Sequence, residues 1–210
     1  MNMDKKTRAA WHEAGHVVSY FAYRWRVTSA NIKEWMDGTT PVCGQTFTEA
    51  PTDLSVEDLL HSDMTCTLAG PLAGQKAAGL LPGTLTAQDV DFHDDAHRVL
   101  ARVVQITADK NDARKIVDEC RKEAVEFIAL QWSAITAVAT ALLEKTELDE
   151  AALKELCEAA LTGKIKTTTA PAQPPVTTAK AALKRLKKRA PAPPVYAPKH
   201  WVEGEDYKPA

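Results

Sequence analysis

The chain contains no apolar run near the roughly 18 residues that mark a membrane-spanning helix. Its opening, Met1-Asn2-Met3-Asp4-Lys5-Lys6, is polar and runs straight into the first helical pattern, unlike a secretory leader. A protein with no membrane segment and a cytoplasmic location is the expectation. The four cysteines, Cys43, Cys66, Cys120 and Cys157, are widely spaced and form no Cys-x-x-Cys. They predict reduced thiols and not a disulfide framework. No Gly-x-x-x-x-Gly-Lys-Ser/Thr stretch occurs, so there is no phosphate-cradling loop of that type. No internal repeat is visible, and proline is scarce until late. Eight of the twelve prolines lie beyond Gly163.

What is present divides in two. Residues 1–162 hold 16 Lys+Arg against 25 Asp+Glu, a net of −9, whereas residues 163–210 hold 10 against 3, a net of +7. An acidic domain over 1–162 and a proline-rich basic tail over 163–210 follow. The tail is expected to be disordered. Its segment Ala179–Arg189 (Ala-Lys-Ala-Ala-Leu-Lys-Arg-Leu-Lys-Lys-Arg) suits nucleic acid, an acidic protein partner or the domain's own acidic surface.

The chemistry concentrates in Trp11-His12-Glu13-Ala14-Gly15-His16. Histidines four apart share one helix face, about 5–6 Å apart at Cβ. Their ring nitrogens can converge on one zinc ion at about 2.0–2.1 Å. Glu13, beside the first of them, is placed to take a proton from a metal-activated water. Ala9 and Ala10 before the motif, and Val17, Val18, Tyr20 and Phe21 after it, make an apolar helix. Such a helix is buried, and buried charges need partners or a metal. Gly15 costs about 1 kcal/mol in a helix interior. Close approach of another segment would explain it.

The rest of the pattern is mainly α with one small β-hairpin. A first helix is expected over 5–24, strands over 27–35 and 42–48, and a helix from the Ser55 cap to about Gly79. Its small-residue stretch Leu68-Ala69-Gly70-Pro71-Leu72-Ala73-Gly74 suits tight helix packing, with a possible kink at Pro71. Further helices are expected over 91–109, over 111–145 with a break near Trp132-Ser133, and over 148–161.

A hydrolytic zinc site takes three protein ligands and keeps one open position. No Gly-x-x-His continuation follows His16. The densest source of a third ligand is Gln88-Asp89-Val90-Asp91-Phe92-His93-Asp94-Asp95-Ala96-His97. Asp91 is favoured, because it precedes Phe92, the start of an apolar stripe through Ala96, Val99 and Val103. That puts it near a helix N-cap, where a carboxylate can turn back toward the zinc helix. Asp89, Asp94 and His93 stay open.

On these residues the chain resembles the peptidase domain of the FtsH family of ATP-dependent zinc metalloproteases. The family's Tyr-His-Glu-Ala-Gly-His helix corresponds to Trp11–His16. Its Leu-Gly-Gly-Arg-Ala-Ala-Glu-like helix corresponds to Leu68–Gly74, and its Leu-Leu-Glu-Lys-Glu-Thr-Leu-Asp-like close to Leu142–Asp149. The resemblance covers about residues 5–162. It implies an FtsH-peptidase-like fold, zinc held by His12, His16 and Asp91, and Glu13 as general base. It also implies a polypeptide substrate that adds as a strand to the 42–48 edge. The family's transmembrane segment and ATPase domain have no counterpart in this sequence. The expectation is therefore a zinc endopeptidase acting on flexible or unfolded chains, supplied by a separate ATPase or adaptor protein. The rival is a catalytically silent protein of the same fold that binds nucleic acid or a protein partner through the basic tail.

Overall fold

The computed structural model describes residues 3–37, 40–80 and 93–162, all within one structural unit. Helix α1 (Lys5–Ala22) starts where the Asp4 side chain accepts from the Thr7 backbone N–H at 2.9 Å and from its hydroxyl at 2.6 Å. Its end is a paired reverse turn: Arg24 N–H donates to the Phe21 carbonyl and Trp25 N–H to the Tyr20 carbonyl. Arg24 takes φ 68° to make that turn. The chain is thereby returned directly into β1 (Arg26–Asp37).

Strand β1 pairs antiparallel with β2 (Thr40–Glu49) on one side and with β3 (Glu147–Asp149) on the other, giving the order β2-β1-β3. Ala30 lies opposite both Thr46 and Leu148. Val27, Ala30 and Ile32 bury against the helical core. The expected two-stranded hairpin is thus one part of a three-stranded sheet. The short strand was expected to be helical. The physical reason for the difference is the left-handed Thr146 (φ 62°), which ends the preceding helix and leaves Glu147–Asp149 extended, with only Leu148 of the three buried. Asp149 then caps the last helix.

Helix α2 (Val56–Ala77) opens on Ser55, whose hydroxyl accepts from Asp58 N–H at 3.1 Å. From Ser62 to Gln75 every residue is buried, and Pro71 sits within the helix. A helix buried over fourteen consecutive residues is surrounded by its neighbours on every side. Helix α3 (His93–Ile106) packs on it through Val99 and Val103, and α4 (Lys110–Leu130) through Cys120, Ala124 and Ile128. Helix α5 (Trp132–Lys145) turns 78° from α4 at Gln131, one residue before the expected break. Helix α6 (Glu150–Leu161) closes the described chain. The helices expected over 5–24 and to Gly79 end slightly earlier, at Ala22 and Ala77. No single described helix is long and apolar enough to cross a membrane. Residues 163–210, the expected tail, lie outside the described residues.

Helix α1 lies tightly against α2 at Gly15. A Cβ built there would lie 2.5 Å from the Ala69 carbonyl oxygen and 2.8 Å from Ala73 Cβ. The tight packing expected of the 68–74 stretch is realised against the motif helix itself. Alanine would gain about 1 kcal/mol of helix propensity, but backbone oxygen cannot yield. Gly15→Ala is expected to destabilise the fold by about 1–3 kcal/mol, the usual effect of overpacking. A melting temperature at or above that of the parent protein would contradict this packing.

Candidate metal centre

One turn of α1 sets His12 and His16 side by side, with Nε2 to Nε2 at 3.0 Å. Helix α2 orients the second ring. The Cys66 carbonyl lies 2.9 Å from His16 Nδ1. A carbonyl only accepts, so Nδ1 carries the proton, and in the neutral ring Nε2 keeps its lone pair. Gly70 faces the same ring so closely that any Cβ would strike it, and a Cβ at Gly74 would lie 4.0 Å from His12 Cβ. The small-residue stretch therefore lies directly against the His16 imidazole and runs past the base of the His12 side chain.

Helix α3 brings the carboxylate. Asp95 Oδ2 stands 3.0 Å from His12 Nε2 and 3.5 Å from His16 Nε2. Asp91 and Asp89 lie outside the described residues, as does the His93 side chain, and Asp94 is exposed. Among the described residues, the carboxylate grouped with the two histidines is Asp95, which the sequence argument passed over. A signal for it exists. The buried stripe of α3 is Val99 and Val103, and one further step of four toward the N-terminus reaches Asp95, not Phe92.

A buried ionic network docks α3 at this height. Asp63 of α2, 2% exposed, accepts from Tyr20 Oη of α1 at 2.6 Å. It also accepts from Arg98 Nη2 at 3.0 Å and Arg102 Nε at 2.6 Å, both on α3. Three helices meet at one carboxylate. The carboxylate is buried, whereas the Arg98 and Arg102 side chains stay 43% and 37% exposed, so water screens their side of the pairing. Arg98 follows Asp95 by three residues, so the network fixes the turn that carries the ligand.

The donor set could hold a metal ion, and its spacing can be compared with that around zinc. Ligands at about 2.0–2.1 Å around a tetrahedral centre stand about 3.3–3.4 Å from one another. The three atoms here are 3.0, 3.0 and 3.5 Å apart, and they form a group able to hold a metal ion. Electrostatics agree. Burial pulls the His16 pKa down, but the Asp95 carboxylate, Glu13 and the Cys66 carbonyl together raise it to about 9. Asp95 is pushed the other way: burial raises it, and the two histidines bring it below the usual carboxylate range. Without metal, a proton on His16 balances Asp95. A metal uses the same lone pair, so acid competes with metal for this site.

Glu13 lies beside the three atoms without joining them. It is 4% exposed and held by Thr46 Oγ1, which donates to Oε2 at 2.6 Å. Burial raises its pKa above the ordinary glutamate value, against the lowering effect of both histidines and of Thr46. A carboxylate so poised accepts a proton more readily near neutrality.

No protein-family model matches the chain, and no curated protein matches it.

The structure separates the two neighbouring aspartates of α3. Asp95→Asn is expected to lose zinc to a mild chelator while keeping its helical signal, and Asp94→Asn is expected to retain zinc. Metal analysis after dialysis reads both. Full retention by Asp95→Asn would remove Asp95 from the site.

Proposed function

We propose that this chain is a zinc-dependent endopeptidase that hydrolyses peptide bonds of flexible or unfolded polypeptides. The observation that supports it best is a buried glutamate set beside, but outside, a group of two imidazole nitrogens and a carboxylate oxygen that fits zinc. A purely structural zinc site is closed by four protein ligands. Among the described residues three donors converge, and a raised-pKa carboxylate stands next to them.

When bound, zinc supplies Lewis acidity, which polarises a carbonyl and acidifies water. His12, His16 and Asp95 would hold it. Glu13 takes the proton from the attacking water and hands it to the departing amine, so one carboxylate serves as base and then as acid. Cys66 keeps His16 in the tautomer that presents Nε2. The order of elements supports kinship with the FtsH-type peptidase domain: a motif helix, a hairpin, a small-residue helix beneath the motif, and a third ligand from the helix that follows. On this proposal a separate ATPase or adaptor delivers unfolded substrate, and the protein works in the cytoplasm.

Glu13→Gln keeps shape and hydrogen bonding but cannot take a proton. It is expected to hold zinc normally and to cut a quenched, unstructured fluorogenic polypeptide about 10²–10⁴-fold more slowly. Turnover equal to that of the parent protein would show that Glu13 is not the base. A zinc-loaded parent protein that cleaves no member of a diverse unstructured peptide library would overturn the peptidase proposal itself.

A further inference from the structure

Strand β2 meets Glu13 at two positions. Thr46 donates its hydroxyl to Oε2 at 2.6 Å. Two residues earlier, Gly44 has φ +95°, and a Cβ built on it would lie 2.6 Å from Oε1. Residues two apart on a strand point to one face. Positions 44 and 46 therefore address the same carboxylate, one by a hydrogen bond and the other by having no side chain.

The sheet is distorted to achieve this. Asn31 pairs with Gln45 and Glu34 with Cys43, so β1 spends Ile32 and Lys33 opposite Gly44 alone. Such a bulge twists a strand and re-aims its side chains. This one is held on both sides. Lys33 N–H donates to Asn31 Oδ1 at 3.1 Å, and Ile32 N–H donates to the Thr146 carbonyl at 2.9 Å. A regular ladder needs neither the extra residue nor a glycine in the left-handed region.

Resting on the reading of Glu13 as the proton carrier, we propose that Thr46 is its positioning residue. The final torsion of a glutamate side chain is broad and roughly two-fold, so burial alone does not set the carboxylate plane. The Thr46 hydroxyl sets it by engaging Oε2. Oε1 is left against the bare Cα of Gly44, as the oxygen that exchanges the proton. Thr46 does not touch the three metal-binding atoms, so it orders the base without ordering the metal.

Two substitutions separate this from a structural role. Thr46→Val keeps the shape and removes the donor, while Thr46→Ser keeps the donor and removes a methyl group. Zinc content is expected to be equal in both and in the parent protein. With the fluorogenic polypeptide, Thr46→Val is expected to lower kcat about 10- to 100-fold, the scale of a hydrogen bond to a charged group, with KM nearly unchanged. Thr46→Ser is expected to restore kcat. A readout free of turnover is the carbon-13 carboxyl resonance of Glu13, assigned by its loss in Glu13→Gln. It is expected to move in Thr46→Val and to stay in Thr46→Ser. An unmoved resonance, or parental kcat in Thr46→Val, overturns the proposal. A resonance that moves in a zinc-loaded protein without any peptide turnover leaves the Thr46–Glu13 contact standing and overturns the peptidase reading instead.

Discussion

Everything at the site depends on how closely α2 runs beneath α1. The approach is made possible by glycine and alanine on both sides of the contact: Gly15 against Ala69 and Ala73, Gly70 against the His16 ring, Gly74 near His12. Side chains of ordinary size would hold the helices at the usual 8–10 Å separation. The Cys66 carbonyl would then no longer reach His16 Nδ1, and the imidazole would lose its tautomeric control. A packing constraint is thus also a chemical one. The same small residues that permit the contact decide which nitrogen of His16 is free to bind.

The third ligand depends on a different kind of force. Asp95 belongs to α3, and the contacts that place it are those of α3 with α2 and α1. It is aimed by docking. Val99 and Val103 supply apolar burial, and Arg98 and Arg102 supply register through Asp63. Nonpolar contact is tolerant of sliding, whereas two guanidinium groups converging on one buried carboxylate are not. Tyr20 ties that carboxylate to the motif helix itself. The candidate metal-binding atoms of α1 and α3 therefore share a common anchor in Asp63.

How much of this the sequence reveals follows from sequence distance. His12, Glu13 and His16 lie within a single turn and a half, so helical geometry alone brings them together, and they were legible. So were the hydroxyl cap at Ser55 and the small-residue helix, and the break expected near Trp132-Ser133 falls one residue earlier, at Gln131. For the third ligand the sequence favours Asp91, ahead of an apolar stripe read as starting at Phe92, and leaves Asp89, Asp94 and His93 open. Asp91 and Phe92 lie outside the described residues; within them, Asp95, in step with the buried Val99 and Val103, is the carboxylate that meets the histidines. Strand β3 escaped because three residues are too few to show alternation. The pairing of Glu13 with Thr46 had no sequence signal at all. It exists only once β2 is laid across α1, thirty-three residues away.

The central claim is that His12, His16 and Asp95 form one zinc site with Glu13 beside it. Crystals grown with zinc, measured at energies on either side of the zinc absorption edge, test this directly. The account predicts one strong anomalous peak per chain, in contact with His12 Nε2, His16 Nε2 and an Asp95 carboxylate oxygen, and with Glu13 outside the coordination shell. A peak that lacks either histidine, or that is held by a different carboxylate, would contradict it.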